Sequence, residues 1–269
     1  RGLPNVAPST RERVRSAAED LQYRPDPSAA ALAAGRTRTV AMAVPVLDSW
    51  YFSQVMAGAE SVLSEVGYDL LLFNVDGEER RRRLLGGPLV KRADGIMLVD
   101  VRLPGDEAAA LVEGRVEVVT VGVELPGASS VMVDDFQIAR DSVAHLVELG
   151  HTKIASLDGR PDDALLFAVP AERQRGYVAA LTDAGVAVCD EYHVAGDFSV
   201  DGSRRAMAAL LDLDDPPTAV FAMSDEMAFG ALHELGSRGL RVPDHMSIIG
   251  IDDHEFAAIV GLTTTHQQV

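Results

Sequence analysis

From Val40 onward, short apolar runs alternate with segments whose apolar residues recur every three or four positions. The runs predict strands over residues 40–46, 68–75, 95–99 and 116–121, and the segments between them predict helices over 51–66, 78–91 and 106–113. After a short strand over 130–133 the pattern restarts. It gives helices over 136–149, 171–184, 201–211 and 225–238, and strands over 153–157, 192–195, 219–222 and 247–251. Such alternation specifies an α/β chain in which a parallel sheet is covered by helices on both faces. Its repetition gives two doubly wound parallel-sheet lobes in tandem. Ligands of such sheets bind beyond the carboxyl ends of the strands, so two lobes facing each other make a cleft.

The first 38 residues are patterned differently. Val14, Ala17, Ala18 and Leu21 form a helical stripe, and Pro8 suits the first turn of that helix, predicted over 8–23. A second, alanine-rich helix is predicted over 27–34, stopped by Gly35.

Composition narrows the class. A chain of 269 residues with 47% apolar content has enough material for two lobes. Its single cysteine, Cys189, excludes an internal disulfide and fits a reducing compartment, so a cytoplasmic location is expected. No apolar run is long enough to span a membrane, and residues 1–15 lack the features of a signal peptide, so no membrane partner is expected. The net charge of −17 argues against nucleic-acid binding by the bulk of the chain. The charge is uneven, however. Residues 1–38 hold seven arginines against four acids, so a slightly basic arm precedes an acidic body.

Chemical motifs are sparse. Nucleophile turns of the Gly-x-Ser-x-Gly kind, phosphate-binding loops and dinucleotide turns are missing. Asp252-Asp253-His254-Glu255 combines metal-ligating types, but adjacent residues rarely face one point, so no metal is expected, and no cofactor either. Arg80-Arg81-Arg82-Arg83 reads as a solvated helix surface, or else as a contact for an acidic partner.

Ten phrases bring a family into view: Thr10-Arg11-Glu12-Arg13-Val14, Leu21-Gln22-Tyr23-Arg24-Pro25, Gly35-Arg36-Thr37, Asp94-Gly95-Ile96, the run from His145 to His151, Arg175-Gly176-Tyr177, Ser224-Asp225-Glu226-Met227-Ala228, Gly239-Leu240-Arg241-Val242-Pro243, Gly250-Ile251-Asp252-Asp253 and Leu262-Thr263-Thr264. In this order, and over nearly the whole chain, they resemble the LacI/GalR family of transcriptional repressors. The resemblance implies a periplasmic-binding-protein-like (type I) core preceded by a helical headpiece remnant and a hinge helix. It places the remnant of the helix-turn-helix headpiece at 1–25, with the recognition helix upstream of Arg1. The hinge helix and linker fall at 26–38, the first lobe at 39–133, the second at 134–261, and a crossover back toward the first lobe at 262–269.

It also implies roles. Ala29 and Leu32 fall in the hinge, where a leucine wedges into the DNA minor groove, although Leu32 is equally suited to packing a short linker helix. Asp26 and Ala30 depart from the family pattern and remove favourable interaction with phosphates. The effector would lie between the lobes against Trp50, Tyr51 and Phe52 after the first strand, with Glu124, Arg173, Phe198, Ser224, Asp225 and Asp252 supplying the other contacts. Phe52 and Phe198 also suit a core, and Asp225 also suits an N-cap. The alignment at Glu124 slips easily by a residue or two. The implied partners are operator DNA, a small polar effector such as a sugar, and a second copy in a symmetric homodimer. Two rivals share the two-lobe pattern without using residues 1–38: a periplasmic sugar-binding protein serving a transporter, and a doubly wound sugar-processing enzyme. The family reading makes the chain a regulator and not an enzyme.

Overall fold

The computed structural model describes residues 7–22, 35–85, 92–114, 116–159 and 169–269. The hinge positions Ala29 and Leu32 lie outside them. Helix α1 (Pro8–Asp20) begins with proline in its first turn and buries none of its residues; Val14 and Leu21 stay exposed.

The first lobe contains β1 (Thr39–Val44), α2 (Trp50–Glu65), β2 (Asp69–Asn74), α3 (Glu78–Leu85), β3 (Gly95–Val99), α4 (Gly105–Val112), β4 (Glu117–Val121) and β5 (Ser129–Val131). Its strands are all parallel in the order β2-β1-β3-β4-β5. The interior strand β1 is buried from Ala41 to Val44, because helices cover both faces of the sheet.

The second lobe contains α5 (Asp135–Glu148), β6 (Ile154–Asp158), α6 (Val169–Asp183), β7 (His193–Ala195), α7 (Val200–Leu211), β8 (Ala219–Ala222), α8 (Asp225–Ser237), β9 (Ser247–Asp252), a short α9 (Ala257–Val260) and β10 (Thr263–His266). Its parallel order is β10-β9-β8-β6-β7. Two doubly wound parallel lobes are therefore present.

Three details depart from the sequence expectations. The segment after Leu262, expected as a crossover, first adds β10 to the second sheet, with Thr264 opposite Gly250. Its threonines are β-branched and suit a strand, but they escape a reading based on apolar runs. A 3-10 turn, Asp190–Tyr192, takes the start of the strand expected from Tyr192. In the arginine run, Arg80 and Arg82 are exposed, whereas Arg81 is buried and its Nε donates to Glu107 Oε2 at 2.9 Å, tying α3 to α4.

The linker into the first lobe is clasped. The Thr37 amide and hydroxyl donate to Asp94 Oδ1 at 2.7 and 2.9 Å, and the Arg38 amide donates to Oδ2 at 3.0 Å. Burial is the largest single influence and raises the Asp94 carboxyl, but these bonds together outweigh it and hold the carboxyl below its ordinary range.

Close helix packing fixes the second lobe. Asp134 and Ser199 cap α5 and α7 by accepting from the amides of Gln137 and Gly202. A Cβ on Gly176 would lie 2.3 Å from the Phe136 carbonyl oxygen, where α6 crosses α5, and one on Gly230 would lie 2.1 Å from the Val200 carbonyl oxygen, where α8 meets α7. In an exposed helix, alanine stabilises relative to glycine by about 1 kcal/mol. Here overpacking reverses the sign, and we expect Gly176→Ala to destabilise the protein by about 1–3 kcal/mol, read as a lower urea midpoint at unchanged slope.

Candidate functional site

The carboxyl ends of both sheets face a cleft of about 500 Å³. Tyr51, Phe52, Asp100 and Gly122 line it from the first lobe, and Arg173, Phe198, Ser224, Glu226, Asp252 and Gln267 from the second. Backbone conformation marks the same places. Asp100, Asp197, Phe198 and Asp252 are non-glycine residues with φ of 52°, 58°, 48° and 136°, and all four line the cleft. Such conformations cost energy and concentrate at functional sites.

Arg173 organises the second-lobe wall. It is 4% exposed, and its Nε donates to Asp135 Oδ1 at 2.8 Å. Nη2 lies 2.8 Å from the same oxygen, and Nη1 donates to the Met223 carbonyl at the end of β8. The fork expected to hold ligand oxygens is thus already engaged on all three nitrogens, though it still borders the cleft. Asp252, at the end of β9, accepts from Gln267 Nε2 at 2.7 Å and from the Asp225 amide at 3.3 Å. Burial first, with Asp225 and Glu226 adding, pushes its carboxyl up to about 7 against the opposing pull of Arg173.

Ser224 and Asp225 divide their work differently from the sequence expectation. Ser224 is the N-cap of α8, its Oγ accepting from the Met227 amide at 3.3 Å, and it also lines the cleft. Asp225 sits fully buried behind it, accepting from the His254 amide at 2.9 Å, and does not line the cleft. Its carboxyl is pushed up to about 6, chiefly by burial.

On the first-lobe side, Ser49 holds the N-cap position of α2 but does not cap it. Its hydroxyl instead crosses to Glu226 Oε2 at 3.2 Å. The neighbouring Trp50 Nε1 donates to Glu255 Oε2 at 2.9 Å, with its ring 5.1 Å from that of His254. Trp50 therefore joins the lobes and is not among the residues lining the cleft. Phe52 does two jobs, packing with Met42, Val44 and Val99 while showing an edge to the cleft. Phe198 likewise packs on the second core and lines the cleft. Burial, then Asp100 and Asp135, push the Tyr51 phenol upward, so it stays protonated.

Glu124 is exposed and borders a separate cavity beside α4, with Arg102 and Leu125. The turn after β4 carries it away from the cleft, and Gly122, two residues earlier, is what reaches the ligand side.

The four residues from Asp252 to Glu255 diverge as expected of neighbours on one strand end. Asp252 meets Gln267, Asp253 meets His266, His254 is buried among Trp50, Phe229 and Phe256, and Glu255 meets Trp50.

Comparison with known proteins places this geometry. Residues 143–269 match the model of the periplasmic binding protein-like domain. Catabolite control protein A of Priestia megaterium is 34% identical over 265 residues, which are 96% of this chain and 78% of that protein. The transcriptional repressor CytR of Escherichia coli K12 is 34% identical over 254 residues, 92% of this chain and 72% of that protein. Among solved structures, a complex of the transcriptional regulator CelR with cellobiose superposes with a TM-score of 0.74 at 30% identity, covering 99% of this chain and 81% of that one. A LacI-family regulator from Enterococcus faecium with bound ribose gives 0.74 at 27%, covering 86% and 84%. The chain belongs to the LacI family of transcriptional regulators.

For this LacI-family chain, sequence reasoning missed Asp100, Asp135, Glu226 and Gln267. Asp100 directly follows β3, and an acid after an apolar strand was a usable signal. It is 1% exposed, and neither carboxylate oxygen has a hydrogen-bond partner among the described residues. Gly122, at φ 76°, leaves the room it occupies: a Cβ there would lie 1.7 Å from Asp100 Oδ1. Burial, then the charge of Asp135, push the Asp100 carboxyl up to about 7, while Arg173 and the Tyr51 hydroxyl oppose this.

A carboxyl that keeps its proton in the folded state while the unfolded chain loses it near 3.8 lowers stability as pH rises from about 4 to 7. We therefore expect Asp100→Asn to raise thermal stability above pH 7 by roughly 1–3 kcal/mol, with the gain fading toward pH 4. Thermal unfolding of both proteins across that range measures it, and a gain independent of pH would contradict the assignment.

Proposed function

We propose that this chain is the effector-sensing core of a ligand-responsive repressor, in which a small polar metabolite, a sugar or sugar derivative, enters the interlobe cleft and alters operator binding. The supporting observation is that one of the two bonds joining the lobes, Ser49 to Glu226, is made between residues that line the cleft a ligand would fill, with Trp50 to Glu255 reinforcing it from outside the lining. A ligand held there contacts open and closed arrangements differently, which is the condition for shifting their populations. The coupling free energy of such devices is typically about 1–3 kcal/mol. The solved relatives with cellobiose and ribose favour the sugar class.

Tyr51, Phe52 and Phe198 supply ring-covering faces, and Ser224, Arg173 and Asp252 supply polar contacts. Trp50 acts at the closing contact, and Asp225 supports the wall from behind. The route outward runs through Asp94, whose clasp on Thr37 and Arg38 ties the linker to the start of β3. Beyond it, Ala29 and Leu32 are the minor-groove contacts of the hinge, and the exposed stripe of α1 packs within the DNA-binding headpiece. A homodimer is favoured by apolar side chains left exposed on both lobes, Val62 and Val66 on α2 and Phe256 and Ile259 around α9. The protein works in the cytoplasm; among the described residues no helix is long and apolar enough to cross a membrane.

The deciding experiment is operator binding by the full-length protein, followed by fluorescence anisotropy with and without sugars that raise its melting temperature. Operator affinity that changes with such a sugar supports the reading, and absence of specific DNA binding overturns it. Within that assay we expect Phe198→Ala to weaken the sugar at least tenfold, about 1.4 kcal/mol. Asp94→Ala should leave sugar affinity unchanged while reducing the sugar's effect on DNA, a split that calorimetry and anisotropy on the same samples resolve.

A further inference from the structure

Among the described residues, six carboxylates line the cleft: Asp48, Asp100, Asp135, Asp197, Glu226 and Asp252. Arg173 is the sole cation among the described lining residues, and it is engaged by Asp135 and the Met223 carbonyl. Several of the acids are also committed: Asp135 to Arg173, Glu226 to Ser49, and Asp252 to Gln267 and the Asp225 amide. Asp100 stands apart. It is 1% exposed, it lines the cleft, and neither oxygen makes a well-formed hydrogen bond among the described residues, the Tyr51 hydroxyl being the one neutral donor that acts on it. A buried carboxylate without a partner is costly, and the cost is relieved by whatever donor or cation fills the space in front of it.

We propose that the cleft selects a hydroxylated ring bearing an ammonium group, the amino-sugar class, with the ammonium paired to Asp100. This rests on the reading of the cleft as the effector site, and it narrows that reading. A phosphorylated or carboxylated ligand would enter a field of like charge in which the guanidinium of Arg173 already has its charge offset by Asp135. The aromatic side chains of Tyr51, Phe52 and Phe198 in the lining suit the apolar side of a ring, for which a linear polyamine has no use. The volume of about 500 Å³ lies within the range of clefts that enclose whole small molecules and admits one or two rings. The charged and titratable groups facing Asp100 are Asp135, Arg173 and Tyr51. Because burial and Asp135 hold the Asp100 carboxyl at about 7, an arriving ammonium displaces its proton, and binding just below neutral pH is accompanied by proton release.

The test is isothermal titration calorimetry of the protein, just below neutral pH and in two buffers of different ionisation enthalpy. The probes are glucosamine and its β-1,4-linked disaccharide, glucose and cellobiose as neutral counterparts, glucosamine 6-phosphate, and spermidine. We expect each amine to bind at least about tenfold more tightly than its neutral counterpart and to release a proton, and the phosphate to bind more weakly than glucosamine. Asp100→Asn should remove both the preference and the proton release, and Glu124→Gln, outside the cleft, should change nothing. A neutral sugar bound as tightly as its amine overturns the proposal and leaves the sensor reading standing. Spermidine bound as well as the amino sugars removes the ring from it. An absence of heat with every amine overturns the proposal, and the operator assay then judges the sensor reading on its own.

Discussion

The guanidinium of Arg173 holds the ligand end of the second lobe together. Buried ion pairs seldom add much net stability, but losing one partner leaves a buried charge uncompensated. Here the pair fixes three places at once: the first turn of α5 through Asp135, the end of β8 through the Met223 carbonyl, and the first turns of α6, on which Arg173 itself sits. Its charge also pulls Asp100 and Asp252 downward against burial. Without it, both carboxyls would hold their protons more firmly, and the cleft would present donors where it now presents acceptors at the edge of ionisation.

The rest of the wall is fixed by close packing. Gly230 lets α8 lie directly against α7, and Gly250 gives room for the Asp225 carboxylate, 2.1 Å from where a Cβ would stand. That carboxylate receives the His254 amide just after β9 turns at Asp252 and Asp253, both at positive φ. The strained turn thus persists because a buried acceptor behind it holds the backbone in place. The cap of α8, the bend after β9 and the orientation of Asp252 are one connected arrangement, which suits a wall that must keep its shape while the opposite lobe moves.

Period and composition made the sheets legible, since strands such as Ala219–Ala222 are buried throughout and read as unbroken apolar runs. Thr263–His266 was not legible in that way, because its strand character lies in β-branching at polar positions. Cleft-lining positions were readable where a family phrase ended at a strand, as at Ser224 and Asp252. It was obscure where a side chain's direction depends on tertiary structure. Nothing in the order Ser49-Trp50-Tyr51-Phe52 reveals that the first two reach across to the other lobe while the last two face the ligand space. Asp225 illustrates the opposite error: a residue beside a ligand-facing serine shares its phrase but not its surroundings, because the first turn of α8 rotates it behind the wall. Glu124 failed for a similar reason, two residues beyond the glycine that does face the cleft.

Charge and closure are physically linked in this arrangement. Asp100 belongs to the first lobe, while Asp135, Arg173 and Asp252 belong to the second, so the push of Asp135 on Asp100 acts across the gap. As the lobes approach, water leaves, the effective dielectric falls and that repulsion grows. It is opposed by the pull of Arg173 on Asp100 and by two single hydrogen bonds to carboxylates, Ser49 to Glu226 and Trp50 to Glu255, each worth about 1.5–3 kcal/mol net. On the proposed reading, a ligand that satisfies Asp100 would remove the push of Asp135 and keep the attractions, so a molecule small enough to fit between the two walls would set their spacing.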